Sequence, residues 1–300
     1  MNLQFSVIVP TYQRPAAIVD CIKALTLMRY PKDRFEVIVV DDGSAKPVEA
    51  AIGKFGRDVQ LRVIRQPNAG PAAARNAGVR IARGEYLAFT DDDCMVDGEW
   101  LTAFDRRFQA QPQACIGGQV ANGLHENPYS VASQLVSQHV REFFTAKNSS
   151  LLFFPTNNIA FPAAGLRQIG GFFEKYRLVA SEDREICYRW SAAGGSLIWE
   201  PRAKVIHAHD LMLRQFLTQH FTYGRGAYHY YQARTGWDDS WPWPQLRFHL
   251  GLLGKPVRQF HGFPALRLVA LLGLSQMATA AGYLRERIFC ARPVTEKNSR

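Results

Sequence analysis

Residues Tyr86–Cys94 read YLAFTDDDC, an apolar run that turns abruptly into three consecutive aspartates. Glu85–Thr90 predicts a strand, and three adjacent carboxylates just past it repel one another unless they are solvated or share a cation. The same arrangement occurs earlier. Phe35–Val40 (FEVIVV) predicts a strand and runs directly into Asp41 and Asp42. Phe5–Pro10 (FSVIVP) has the nearly continuous β-branched and aromatic character of a strand buried on both faces. Between these two runs, Pro15 opens a segment with Ile18, Cys21, Ile22, Leu25 and Met28 at helical spacing. Leu61–Ile64 predicts a third, shorter strand, and Gly70-Pro71 begins an Ala-rich helix through Ala82. Strands alternating with helices imply crossover units and a parallel sheet, which binds ligands at the carboxyl ends of its strands. Both acidic clusters fall at such ends. A spaced pair such as Asp91 and Asp93 supplies hard oxygen ligands suited to Mg²⁺ or Mn²⁺, with waters and substrate phosphates completing the shell.

Farther along, Cys115–Val120, Asn158–Phe161, Leu197–Glu200 and Lys204–His209 predict short strands. Ser181–Ala193 predicts a helix with Ser181 as its cap and Glu182 and Asp183 in its first turn. In VIHAHD, His207 and His209 alternate along a strand and are expected on opposite faces. A boundary is expected near residue 210. It separates a domain over 1–210, with halves of about 1–100 and 101–210, from a mainly helical extension over 211–300.

The chain has 300 residues, of which 47% are hydrophobic, 12% aromatic and 21% charged, the composition of a globular protein. Its net charge of +10 is unevenly placed: residues 201–300 carry 14 Lys/Arg against 5 Asp/Glu, and residues 1–200 carry 22 against 21. A basic protein overall is therefore not a nucleic-acid binder by default, and no RNA-binding signature accompanies the charge. Five cysteines without a CxxC pair argue against a disulfide framework or a zinc site and fit a reducing cytoplasm. The segment after Met1 lacks the basic start and apolar length of an export signal, so none is expected. Asn148-Ser149-Ser150 matches a glycosylation acceptor, which means little in that setting.

Six motifs in order carry a resemblance: SVIVPTYQRP (Ser6–Pro15), VIVVDDGS (Val37–Ser44), NAGPAAARNAG (Asn68–Gly78), YLAFTDDDC (Tyr86–Cys94), NNIAFP with IGGFFEKY (Asn157–Tyr176), and SEDREICYRW (Ser181–Trp190). Together they resemble a family 2 glycosyltransferase with the GT-A fold, an α/β architecture in which a mixed, Rossmann-like sheet is flanked by helices. The resemblance covers about residues 4–210.

It implies a role for each matching position. Pro10, Thr11 and Tyr12 would border the nucleotide. Asp42 would accept a hydrogen bond from a uracil or thymine base, ahead of Asp41. Asn68, Gly70 and Arg75 would lie near the ribose and diphosphate, and Asp92 would line the same donor pocket. Asp91 and Asp93 would form the DxD pair of the Mg²⁺ or Mn²⁺ site, with Cys94 in place of a further acid and His207 as an added ligand. Asp183, beside Glu182, would be the catalytic base, and Asn157, Asn158 and Trp190 would face the acceptor. Trp100 and Trp199 are further candidates for stacking on a sugar, though each such tryptophan also suits a core. One carboxylate base without a second carboxylate nucleophile fits single displacement, hence inversion.

Residues 214–262 interleave Arg214, Arg225, Arg234, Arg247, Lys255 and Arg258 with aromatic residues including Tyr228, Tyr230, Tyr231, Trp237, Trp241 and Trp243. Such a mixture suits the headgroup layer of an anionic membrane. Leu268–Leu284 is uncharged and, as a helix, about 26 Å long, short of the ~30 Å hydrocarbon core. Three readings stay open for it: lying on or dipping into a membrane, packing as a core or homo-oligomer helix, or spanning. The function implied is an inverting transfer of a sugar from a nucleoside-diphosphate sugar to a glycan or lipid-linked acceptor at the cytoplasmic face of a membrane. Two alternatives remain. A non-catalytic sugar-nucleotide-binding subunit would bind donor and metal without releasing diphosphate. A sugar-phosphate nucleotidyltransferase would release pyrophosphate, but the TYQRP loop lacks the Gly-rich character it needs.

Overall fold

All seven residues of β1 (Phe5–Thr11) and of β2 (Phe35–Asp41) are buried, as their nearly continuous apolar runs imply, and the buried Glu36 is held by Ser6 and Arg83. Successive side chains enter opposite layers: Phe5, Val7 and Val9 join one core, and Ile8 joins the other with Ile38 and Val40. Helix α1 (Pro15–Thr26) begins on Pro15 and buries Ile18, Cys21, Ile22 and Leu25 against the first layer. The short α2 (Glu49–Ile52) precedes β3 (Gln60–Arg65). Gly70 enters α3 (Pro71–Ile81) at φ 91°, a backbone that only glycine adopts without strain. The alanines of α3 let it lie close to the sheet, so a Cβ on Gly78 would come within 2.5 Å of Ile8.

The structure, a computed structural model, describes residues 3–146, 153–174, 181–233 and 246–290. Arg234, Trp237, Trp241 and Trp243 of the aromatic stretch lie outside the described residues, as do Asn148–Ser150 and Lys175-Tyr176. Further elements are β4 (Tyr86–Phe89), β5 (Cys94–Val96), α4 (Trp100–Ala110), β6 (Cys115–Asn122), α5 (Pro128–Ala146), β7 (Ile159–Pro162), α6 (Ala163–Gln168), α7 (Glu182–Ala192) and β8 (Leu197–His207). Among the described residues they form one eight-stranded sheet in the order β3-β2-β1-β4-β7-β6-β8-β5. Strands β1 to β4 run parallel, β7 is antiparallel to both neighbours, and β5 caps the edge antiparallel to β8.

The two strands expected at Leu197–Glu200 and Lys204–His209 are one. Pairing with β6 jumps from Gly118↔Glu200 to Gln119↔Lys204, so Pro201 sits in a bulge and costs no ladder hydrogen bond. The strand also ends at His207, two residues short of the expected limit.

Two compact units result. The first holds the described residues of 1–125, 140–177 and 182–210, and the second those of 126–139 and 211–290 together with Ser181. In the second unit α8 (Leu213–Ala233), α9 (Leu246–Gln259) and α10 (Gly262–Cys290) pack together. The backbones of α8 and α10 nearly touch. A Cβ on Gly224 would reach 1.9 Å from the Thr279 carbonyl oxygen, and one on Gly282 would be equally close to that of Phe221. Glu286, buried on α10, accepts from Arg225 and, at 3.2 Å, pairs with His229 on α8.

Candidate active site

Five segments are tied together at the carboxyl ends of β1, β2 and β4. The Thr11 hydroxyl donates to Asp92 Oδ2 at 2.8 Å, joining the end of β1 to the aspartate turn after β4. Arg14, in the loop between β1 and α1, donates to Asp92 Oδ1 at 3.1 Å and to Asp93 Oδ2 at 2.9 Å. His207, the last residue of β8, places Nε2 3.2 Å from Asp93 Oδ1. Arg75, on α3 and 3% exposed, donates to Asp91 Oδ1 at 2.8 Å and to Glu182 Oε1 at 3.1 Å. One buried guanidinium thus binds the aspartate turn to the first turn of α7, and its Nε has no hydrogen-bond partner.

Electrostatics divides the carboxylates by task. Burial pushes Asp92 up to about 6, more than Arg14 and the Thr11 hydrogen bond offset. Burial acts the same way on Asp93, but the hydrogen bond and charge of His207, with Arg14, outweigh it and hold that carboxyl well below its usual range. His207 is raised in return, Asp93 overcoming its own burial. Asp183 is pushed up to about 7, first by burial and then by the neighbouring Glu182 carboxylate. Its Oδ1 accepts the Arg184 backbone N–H at 2.7 Å, so the group is fixed at the start of α7.

The donor-side residues are placed as follows. Pro10 lies within β1 opposite Val40, and Tyr12 is half-exposed just beyond the strand. Asp42 is buried with both oxygens engaged: Oδ1 accepts from Gln66 Nε2 (2.7 Å) and the Ala69 N–H (3.0 Å), and Oδ2 from the Gly70 N–H (2.8 Å). It shapes the loop that leads into α3. Asp41 Oδ1 accepts the Ser44 N–H at 2.9 Å, whereas Oδ2 is buried without a hydrogen-bond partner. Asn68 is exposed in the same loop.

Two residues expected on the acceptor side, Asn158 and Trp190, lie in the core. Asn158 is fully buried: Oδ1 accepts from Trp100 Nε1 at 2.8 Å, and Nδ2 donates to the carbonyls of Gln119 and Ala203, both at 2.9 Å. Its hydrogen bonds are spent inside the sheet, which leaves no edge for a sugar. Trp190 is also core. It donates to the Ser196 carbonyl (3.1 Å), meets Phe161 edge-on at 5.3 Å, and packs over Gly165 and Gly195. Trp100 is buried in the same way, while Trp199 is partly exposed under the Arg141 guanidinium at 4.8 Å. Asn157 differs from its neighbour, because its buried Oδ1 has no partner. His207 and His209 are not on opposite faces: the strand ends between them and their rings lie 5.1 Å apart. Replacing Asn158 with Ala is expected to destabilise the fold by about 3 kcal/mol, since an indole N–H and two carbonyls lose their partner. Urea unfolding measures this.

The donor set at the end of β8 suits a divalent cation. Ligand atoms of Asp93, Cys94 and His207 lie within 4.8 Å of one another. The Cys94 thiol is buried and soft, a poor match for a hard cation such as Mg²⁺ or Mn²⁺. That leaves a carboxylate oxygen and an imidazole nitrogen, with Asp91 turned to Arg75 instead. Arg14 had no role in the sequence-level expectation. Its signal was a lone cation in the loop after β1, facing an aspartate turn about 80 positions away.

Residues 6–169 match "Glycosyl transferase family 2", and the chain belongs to that family. The chain is 32% identical over 196 residues to a pre-mycofactocin glycosyltransferase of Mycobacterium tuberculosis (strain CDC 1551 / Oshkosh), a match covering 64% of this chain and 41% of the relative's length. Two solved structures share the fold. One is the mannosyltransferase PcManGT from Pyrobaculum calidifontis in complex with GDP-Man and Mn²⁺ (TM-score 0.66, 18% identity, 97% of this chain and 89% of that one). The other is S. aureus TarS 1-349 in complex with UDP-GlcNAc (TM-score 0.59, 17% identity, 97% and 93%). The fold is the GT-A type, a mixed sheet flanked by helices with a helical region at the C-terminal side.

Proposed function

We propose that this chain transfers a sugar from a nucleoside diphosphate to an acceptor hydroxyl by single displacement, with inversion at the anomeric carbon. Arg75 carries the proposal, because it joins the aspartate turn, 16 positions away at Asp91, to the Glu182-Asp183 pair, 107 positions away at Glu182. A donor-side and an acceptor-side carboxylate group are thereby held about one buried cation. Asp183 is the base. A carboxyl raised to about 7 holds a proton far better than an ordinary aspartate and still ionises near neutrality, which suits proton removal from a weakly acidic hydroxyl as the new C–O bond forms. The bond from the anomeric carbon to the diphosphate breaks in the same step.

Asp93 and His207 would hold the divalent cation, and the imidazole favours Mn²⁺ over Mg²⁺. When bound, that ion supplies Lewis-acid neutralisation of the departing diphosphate. Arg14 and Arg75 keep Asp91, Asp92 and Asp93 from repelling one another. Asp41 Oδ2, which faces Arg65 Nε at 3.8 Å but accepts no hydrogen bond, accepts the base N–H in preference to Asp42, whose oxygens are both engaged. That choice fits a uridine or thymidine diphosphate. Two different nucleotide sugars on this fold support the donor class rather than a particular base. The acceptor is a glycan or lipid-linked, and four buried free thiols, Cys21, Cys94, Cys115 and Cys187, accord with work on the cytoplasmic side of a membrane.

A thermal-shift panel of sugar nucleotides tests the donor site. At 100 times its dissociation constant a donor raises stability by about 2.7 kcal/mol. The shift is expected only with Mn²⁺ present, and Asp93→Ala is expected to abolish it even with Mn²⁺. A donor shift identical with and without Mn²⁺ would contradict the assignment of Asp93 and His207.

A further inference from the structure

Along α10 the exposed apolar residues Phe263, Leu266, Leu274, Met277, Leu284 and Ile288 recur every three, four, seven or eight positions, and Ala270 and Ala281 fill the longer gaps. That spacing puts them on one stripe about 38 Å long. Phe263 is 76% exposed and Met277 is 69% exposed. Helix α9 repeats the pattern with Leu246, Leu250 and Val257, all exposed at i, i+4 and i+11. Arg247, Arg258, Arg267, Arg285 and Arg287 are exposed on the same two helices. Among the described residues from 211 on, the one acid is Glu286, and it is buried against Arg225 and His229.

We infer that α9 and α10 form a docking face for an anionic lipid bilayer, lying in the headgroup layer with the leucine and phenylalanine stripe in the acyl boundary. Charge selects this occupant. A second copy packed through the same face would bring arginines against arginines, with no exposed acid among the described residues from 211 on to pair them, whereas an anionic leaflet neutralises every one. Spanning is excluded by the packing of α10. Although Gly262–Phe289 is long and apolar enough to cross a membrane, its opposite side lies backbone to backbone on α8. That side of α10 carries Glu286, bonded to Arg225 and His229. Drawing α10 through the hydrocarbon would strip it from those partners or drag their charges with it. The inference rests on the peripheral location proposed above and specifies the surface responsible.

Flotation of the full chain with vesicles tests it. The protein is expected to float with equal parts phosphatidylglycerol and phosphatidylcholine, and to stay down with phosphatidylcholine alone. Each Arg→Gln at Arg258, Arg267 or Arg287 is expected to weaken partitioning about fivefold, and added salt to weaken it further. Leu266→Glu with Met277→Glu is expected to abolish flotation while leaving the melting curve intact, because both side chains are exposed. Flotation that fails for the full chain, or survives the double substitution, overturns the inference. So does a sedimentation dimer that the double substitution dissociates without any vesicle binding, which assigns the stripe to a second copy. Asp183→Asn is expected to float normally, so failure of the enzymatic proposal is distinguishable from failure of this one.

Discussion

Asp183→Asn is expected to lower kcat by about 1,000-fold, in the range found when a positioned general base is removed, while donor binding is unchanged. Asparagine preserves the shape and the oxygen that accepts the Arg184 N–H, but it cannot take a proton at neutral pH. The native enzyme is expected to lose activity as pH falls through about 7, since burial and Glu182 raise the Asp183 carboxyl to that value and its protonated form is not a base. Glu182→Gln removes the neighbouring negative charge, so the acid limb moves to lower pH. A limb that stays at the ordinary carboxylate position in the native enzyme would remove Asp183 from this role.

Arg75→Met is expected to shift the same limb in the opposite direction. The Arg75 cation lowers the Asp183 value, so its loss raises that value and moves the limb upward. Two further consequences accompany the shift. Asp91 and Glu182 lose their shared counter-ion, which costs about 3 kcal/mol of stability, the low end for a buried pair because Asp91 keeps some access to water. The aspartate turn and the start of α7 also lose their mechanical link, and a misplacement of about 1 Å lowers turnover about 100-fold. Arg75→Lys separates these effects, since a lysine keeps the charge but cannot reach both carboxylates with a planar fork. It is expected to restore the pH limb more fully than the rate. If both substitutions unfolded the protein to the same extent and left the limb in place, Arg75 would be a structural residue only.

The strands that set the parallel half of the sheet are legible because their apolar runs are nearly continuous and their aspartates fall at the carboxyl ends. Phe5–Thr11, Phe35–Asp41 and Tyr86–Phe89 need no partner to be recognised. The separate strands expected at Leu197–Glu200 and Lys204–His209 form one, because a bulge at Pro201 absorbs a register jump against β6 that no local run of residues signals. The histidine pair was misplaced for a related reason: alternation holds within a strand, and β8 ends at His207.

Residue type fixed the candidate site less well than position. Asn157 and Asn158 are chemically identical, yet one has an open buried oxygen and the other is spent on Trp100, Gln119 and Ala203. Asp41 and Asp42 divide in the same way. Arg14 and Arg75 pair with carboxylates 78 and 107 positions away, separations at which a lone sequence carries no pairing signal.

Calorimetric titration of a nucleoside-diphosphate sugar with Mn²⁺, paired with nucleoside diphosphate release in the same samples, compares the native chain with Asp183→Asn most directly. Water serves as the acceptor where no better one is supplied. Equal donor affinity in both proteins, with release falling about 1,000-fold in the variant, is the result predicted. Equal release from both, or no donor binding to either, would contradict a displacement in which Asp183 removes the proton.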